Sequence, residues 1–222
     1  ISGSSVVMPS RFRVSKFWDW VSRHRCSWFS AVPTIISYLL GAEEAVAQPE
    51  KATLSHVRFG RSASAALPPA VHTAFVGRFG IPLVETMGIT ETAAPILSNP
   101  LNPKAHRIGS PGKSCGNEVR IADDHNAELE PGREGEIQIR GHNVMKGYLK
   151  DAEKTDEAFT SDGWYRTGDL GKMDEDGYVF VTGRIKELII KGGENIAPRE
   201  IDDVLYQFPG VLEGAAVGIA DT

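Results

Sequence analysis

Apolar positions in the first part of the chain fall into helical and strand rhythms in turn. Val14, Phe17, Trp18 and Val21 recur at i, i+3, i+4 and i+7, one face of a helix, and the basic run Arg23, His24, Arg25 suits its C-terminal end, where the backbone dipole is negative. Residues 27–32 read as a buried strand, and Pro33, which has no amide hydrogen to lose in a first turn, predicts a helix over 33–40. Residues 41–53 are polar and Ala-rich and are expected to form a loop. A strand near 56–59 then runs into GRSASAA, small residues around Arg61, before Pro68 and Pro69 open a helix with Val71, Phe75 and Phe79 inward. The step from Phe79-Gly80 to Pro82-Leu83-Val84 completes a βαβ pattern whose last strand is expected to end at Glu85.

From Gly109 the rhythm shortens. Val119 and Ile121, then Ile137 and Ile139, alternate with polar neighbours, and Asp123-Asp124 and Pro131-Gly132 supply turns, so a small antiparallel barrel or sandwich is expected beside the α/β part. Arg140 and Tyr148 read as structural, since such side chains commonly satisfy buried carbonyls. Asp151 is placed to cap a short helix over 151–155, and Asp174-Glu175-Asp176-Gly177 reads as a hairpin turn, because the residues after Gly177 lack the pattern of a calcium loop. Beyond Pro198, Ile201, Val204, Leu205 and Phe208 form a helical stripe that needs a sheet to cover it, and 211–219 is expected to begin one.

Composition narrows the class. The 222 residues are enough for a real core; 41% are hydrophobic and 24% charged, as in a globular chain. A net charge of −5 and a pI near 5.7 argue against nucleic acid as the main partner, while leaving local Arg and Lys free to meet an anionic ligand. No apolar run approaches the roughly 20 residues of a membrane span. Cys26 and Cys115 form neither a disulfide framework nor a zinc pattern, which points to the cytoplasm. Oligomeric state is not readable.

The densest chemistry lies in GWYRTGDLGKMDEDGYVFVTGRIKELIIKGGENIAP, residues 163–198. Asp169 sits in a Thr-Gly-Asp turn and Arg184 follows an apolar strand. A carboxylate can accept hydrogen bonds from two adjacent hydroxyls, as a ribose diol offers, and a guanidinium supplies a fork of donors for sugar or phosphate oxygens. Thr-Gly-Asp is equally an ordinary turn, and Gly-Arg an ordinary strand exit. Met87-Gly88-Ile89-Thr90-Glu91 falls at the carboxyl end of a strand, where open α/β sheets gather ligands; the same residues would serve as a helix start. Ser64, Ala65 and Ala66 are small enough for a flat ring to lie on the backbone, or for a tight turn to pack against a neighbour.

ETMGITE, GEIQIRGHNVMKGYL, GWYRTGDL and DGYVFVTGRIKELIIKGGENIAPREID, in this order along the chain, resemble the adenylate-forming enzymes: acyl-CoA synthetases, luciferases and carrier-protein adenylation domains. The resemblance covers nearly the whole chain from about Arg11. It implies an α/β fold comprising the C-terminal part of a large N-terminal domain (an α/β subdomain over 1–108 and a small antiparallel β-barrel over 109–185) and the start of a small α+β C-terminal domain over 186–222. It further implies that Ser64, Ala65, Ala66, Thr86, Met87 and Gly88 pass the adenine and nearby groups, that Thr90 contacts phosphate, that Glu91 helps hold Mg²⁺, and that Asp169 and Arg184 take the ribose and phosphate. Lys186 becomes the pivot of the small domain, and Gly192, Gly193 and Glu194 line a passage for the pantetheine arm of coenzyme A. Met87 departs from the aromatic residue usual in the family, exchanging ring stacking for a softer thioether contact.

The implied reaction is formation of an acyl adenylate from a small carboxylic acid and ATP, then transfer to coenzyme A. Loading of a carrier protein, or a nucleotide-binding module without turnover, are the alternatives. The family's phosphate loop and C-terminal lysine are not in this sequence and both ends read as cut, so a piece of a longer enzyme, inactive alone, is expected. GRIKELIIKGGENIAPREID and the Ser-Asn-Pro-Leu run at 98–101 look most like acyl-CoA ligases, including the oxalate branch, in which a histidine stands three residues after the glutamate. Here that position is Ala94, which predicts an apolar, aliphatic or aromatic acid.

Overall fold

The computed structural model describes residues 3–42, 54–93, 95–191, 194–208, 210–211 and 214–219. Most of the expected loop at 41–53, together with Ala94, Gly192 and Gly193, lies outside the described residues.

Helix α1 (Val14–Arg23) forms on the predicted spacing and buries Trp18 and Val21. Strand β1 (Trp28–Ala31) leads into α2 (Pro33–Gly41), with Pro33 in its first turn, and β2 (Phe59–Ser62) leads into α3 (Pro69–Phe79). Gly80 closes α3 in a left-handed conformation, φ 68°, its amide bonded to the Val76 carbonyl, before β3 (Leu83–Gly88). The strands β1, β2 and β3 are parallel neighbours; β4 (Pro95–Ser98) and β5 (Lys113–Ser114) extend the sheet antiparallel to five strands. The helices bury Trp18, Ile36, Leu39, Phe75 and Phe79 together with Phe29 and Leu83 of the sheet. Each large side chain removed from water in this way contributes about 1.5–3 kcal/mol.

Two strands differ from expectation. The second lies three residues later than 56–59, and Gly60 gives the reason. A Cβ there would stand 2.4 Å from the Phe29 ring and 2.9 Å from Leu83, so β2, lying between β1 and β3, needs a residue without a side chain at the point where its neighbours meet. The third strand runs past Glu85 to Gly88, because Thr86 and Met87 pair with Ser98 and Leu97 of β4.

A second, antiparallel sheet consists of β6 (Glu118–Ala122), β7 (Gly135–Arg140), β8 (Tyr165–Met173) and β9 (Val179–Arg184), in that order. Ile121, Ile137, Ile139 and Val179 share one core with Ile96 and Leu97 of β4, so the two sheets are joined by packing. They are also joined through the backbone: Val179 donates its amide to the Gly112 carbonyl and accepts from the Ser110 hydroxyl at 2.5 Å. Asp151 caps α4 (Ala152–Ala158) by accepting from the Lys154 amide, and Asp174 accepts from the Tyr178 amide at the expected hairpin.

After a turn at Ile185–Glu187, β10 (Ile189–Lys191) pairs with β11 (Glu194–Ile196), followed by α5 (Pro198–Leu205). The sheet expected from 211–219 does not appear among the described residues. That segment is tethered instead by the Ala216 amide donating to the Asp202 carboxylate at 2.6 Å, and β10 and β11 pair with each other without a further described strand. No described helix is long and apolar enough to cross a membrane.

Candidate active site

The parallel register sets Ser62 beside Glu85, so the segments leaving β2 and β3 emerge together at the carboxyl edge of the sheet. Ser64, Ala65 and Ala66 are exposed there, and Ser64 takes φ 77°, a left-handed conformation that costs a non-glycine residue free energy and tends to be kept where geometry matters. The Thr86 hydroxyl is buried and committed: it donates to the Ser62 carbonyl at 3.2 Å and accepts from Arg61 Nε at 3.0 Å. Met87 is half-buried against the core shared by the two sheets, and Gly88 is exposed at a register shift in the ladder. Thr90 and Glu91 lie in a single short 3-10 turn, Thr90–Thr92, rather than at the head of an α-helix.

Asp169 and Arg184 are cross-strand partners on β8 and β9, and Arg184 Nε donates to Asp169 Oδ1 at 2.7 Å. The carboxylate is nearly enclosed, its side chain 7% exposed, while the guanidinium is 58% exposed and turned to the surface. Burial pushes the Asp169 carboxyl above its usual range, and the Arg184 charge offsets this only in part; the Asp169 carboxylate in turn raises Arg184 further. The turn carrying Asp169 is built rather than loose. Gly168, at φ 72°, donates its amide to Glu136 Oε1 at 3.1 Å, Thr167 donates its hydroxyl to the Ile137 carbonyl at 2.6 Å, and Asp169 donates its amide to the Thr167 hydroxyl at 3.0 Å. A bulge between Leu170 and Gly171 opposite β9 adds the local bend that re-aims a side chain at such places.

The two halves of the site meet at Glu91. Its carbonyl accepts from the Met145 amide at 2.7 Å and its Oε1 accepts from the Tyr148 hydroxyl at 3.1 Å, which fastens the Thr-Glu turn to the GHNVMKGY loop. Tyr165, on the same strand as Asp169, lies behind this contact. Burial first, then its hydrogen bond with Tyr148 and the negative charges of Glu91 and Asp169, hold its phenol far above the ordinary range, so it stays neutral and protonated. Glu91 is also near enough to add to the field that keeps Arg184 charged. Thr90 thus adjoins Glu91, whose charge acts on Arg184 beside Asp169, while Ser64–Ala66 follow β2 and Met87–Gly88 end β3.

Lys186 and Glu194 are exposed on the segment after β9, Lys186 inside the 185–187 turn and Glu194 opening β11. Glu187, next to Lys186, is close enough for its charge to act on Asp169. The site has further parts that the residue pattern did not disclose. Glu136 and Gln138 look like the solvent face of an alternating strand, yet β7 is central and both are buried in a polar layer, Gln138 receiving Arg120 Nε at 2.9 Å. Tyr148, expected to satisfy a carbonyl, bonds a carboxylate. His72 and Glu85 form a buried pair at 2.7 Å, with Gly109 also donating to Glu85, which pins the connection between β4 and β5. A charged residue directly after the apolar Leu83-Val84 was the available signal for Glu85, whereas Glu136 carried none, since it alternates with Ile137 and Ile139.

The sequence pattern of the family described as AMP-binding enzyme matches residues 1–149. A sulfoacetate–CoA ligase of Cupriavidus necator is 56% identical over 221 residues, covering 100% of this chain and 42% of that protein. An oxalate–CoA ligase of Saccharomyces cerevisiae is 39% identical over 98% of this chain and 39% of its own length. Among solved structures, ATP-bound MatB from Rhodopseudomonas palustris superposes with a TM-score of 0.86 at 36% identity, over 96% of this chain and 41% of MatB. The chain therefore spans about two-fifths of the length of the relatives it matches. With its family pattern matched over residues 1–149 and its mixed α/β architecture shared with these structures, the chain belongs to the AMP-binding enzyme family.

Proposed function

We propose that the full-length protein is an ATP-dependent acid–CoA ligase. A carboxylate oxygen attacks the α-phosphorus of ATP as the bond to pyrophosphate breaks, and the thiol of coenzyme A then attacks the acyl carbon, loses its proton and releases AMP. The observation that carries this reading is the Asp169–Arg184 pair, with Glu91, just past the end of β3, near enough for its charge to act on Arg184. In it, Asp169 accepts from both ribose hydroxyls, and Arg184 favours the charged carboxylate while turning its remaining donors outward. Ser64, Ala65, Ala66, Met87 and Gly88 lie along the adenine, and the Thr90 hydroxyl donates to the α-phosphate. Thr86 acts through backbone and shape, since its hydroxyl is committed within the sheet.

Glu91 fits a hard cation: one of its oxygens is oriented by Tyr148, and Mg²⁺ characteristically takes one or two carboxylates along with substrate phosphates. When bound, Mg²⁺ would neutralise phosphate charge as pyrophosphate departs. The chain's own task is to hold the reacting anions in position with fixed donors and to keep Tyr165 neutral beside them. Residues 1–108, 109–185 and 186–222 are read as α/β subdomain, β subdomain and the start of a mobile domain. Lys186 is its pivot, and Gly192, Gly193 and Glu194 line the thiol passage, a hinge placed at an element end. The cytoplasm is the compartment proposed.

Two classes of acid come into question. Ala94 in the sequence favours an apolar acid, but it lies outside the described residues. The relatives named for sulfoacetate and oxalate, 56% and 39% identical over 100% and 98% of the chain, favour a short acid with a second anionic group, and that is the class proposed. The test is AMP release by the full-length protein with ATP, Mg²⁺, coenzyme A and a panel of acids. Acid-dependent AMP and acyl-CoA in equal amounts are expected. No acid-dependent AMP, or acyl transfer to carrier proteins but not to coenzyme A, would overturn the proposal.

A further inference from the structure

Arg61 is a half-buried arginine in the middle of β2, on the side of the strand away from Gly60 and the helical core. Its Nε is spent on the Thr86 hydroxyl at 3.0 Å, which fixes the plane of the guanidinium, and Thr86 is itself held by the Ser62 carbonyl at 3.2 Å. Among the described residues no carboxylate pairs with Arg61, whereas Arg107, Arg120, Arg140, Arg166, Arg184 and Arg199 all have acidic partners. Its two terminal nitrogens likewise make no described hydrogen bond. A partly desolvated guanidinium is costly to keep without an anion, and one anchored through Nε presents those two nitrogens as a parallel fork.

The guanidinium lies at the seam of β2 and β3, where Nε meets the Thr86 hydroxyl. It is also near enough for its charge to act on Cys115, whose thiol donates to the Pro95 carbonyl at the start of β4. Its anchor Thr86 stands two residues before Gly88, where β3 ends at the proposed nucleotide edge; two residues of strand span about 7 Å. A carboxylate presented to the nucleotide and a second anion on a short spacer can bridge that interval.

We propose that Arg61 recognises the second anionic group of the acid substrate, a carboxylate or sulfonate taken bidentately, and so selects short dianionic acids. This rests on the ligase reading above and names its substrate class from this chain's own residues. Thr86 is the positioning residue that orients the fork. An apolar acid would leave the guanidinium without a counterion, so the same geometry discriminates against monocarboxylates.

The experiment uses the full-length protein and compares kcat/KM for sulfoacetate and malonate with that for propionate and butyrate, in the native sequence and in Arg61→Met and Arg61→Lys. The native protein is expected to prefer the dianions. Arg61→Met should lower the dianion-to-monoanion ratio roughly 30- to 100-fold, the loss of one charge-assisted fork, and Arg61→Lys should recover part of it as a point charge without the fork. A native preference for propionate or butyrate would overturn the proposal whether or not the variants fold. An unchanged ratio in folded Arg61→Met would overturn it too, with the ligase reading intact. If no acid supports AMP release, the ligase reading falls and Arg61's role falls with it.

Discussion

Replacing Asp169 with asparagine in the full-length protein is expected to cut AMP affinity by roughly two orders of magnitude while leaving the thermal midpoint where it was or raising it. The first half follows from acceptor chemistry: a ribose diol needs two acceptors, and an amide offers one oxygen and a donor in place of the second. The second half follows from burial. Desolvation pushes the Asp169 carboxyl above its usual range despite the Arg184 contact at 2.7 Å, so the charged form is a net cost to the folded state. A group whose folded pKa is raised binds more protons when folded; its contribution to stability is full below its unfolded pKa and is lost as pH rises through the folded value. Native stability should therefore decline with rising pH across that acidic window, and the asparagine variant should lack this component. Isothermal titration with AMP and thermal scans against pH measure both halves. A variant that keeps native affinity, or loses stability at neutral pH, would remove the assignment.

A second large effect is expected away from the chemistry. Gly112→Ala should destabilise the fold by roughly 3–5 kcal/mol, because two independent penalties coincide. Gly112 has φ 102°, and a Cβ there would stand 2.0 Å from the carbonyl carbon of Ser98 and 2.2 Å from the Asn99 amide. Backbone cannot give way as a side-chain end can, so β4 would have to shift. Gly112 also accepts the Val179 amide, one of the bonds that join the two sheets, and the displacement would reach β9 and Arg184. The readout is the denaturant midpoint of the full-length protein together with its AMP affinity, both expected to fall. An unchanged midpoint would mean that the close approach between Gly112 and β4 is not what fixes the sheets.

What the sequence disclosed was what depends on local spacing. The helical face from Val14 to Val21, the Pro33 and Pro198 helix starts, the Asp151 cap and the Asp174 hairpin all formed, because each is decided within a few residues. Motif order assigned Asp169 and Arg184 to one ligand; that they bond each other follows from the β8–β9 register. What stayed hidden depends on tertiary neighbours. Gly60 and Ser62 have poor strand propensity and enter β2 because strands lie on both sides. Glu136 holds the Thr-Gly-Asp turn across strands, and Tyr148 reaches Glu91 across 57 positions of sequence. Arg61 looked like an interruption in a small-residue run; only the committed Thr86 hydroxyl discloses that its fork is aimed.

The central claim is that Asp169 and Arg184 together receive the sugar of a nucleotide beside Glu91. A crystal structure of the full-length protein with AMP tests it most directly. Both ribose hydroxyls should lie at about 2.7 Å from the Asp169 carboxylate, with the phosphate toward Thr90. AMP seated with its ribose away from Asp169, while the Asp169–Arg184 pair stays closed on itself, would contradict the account.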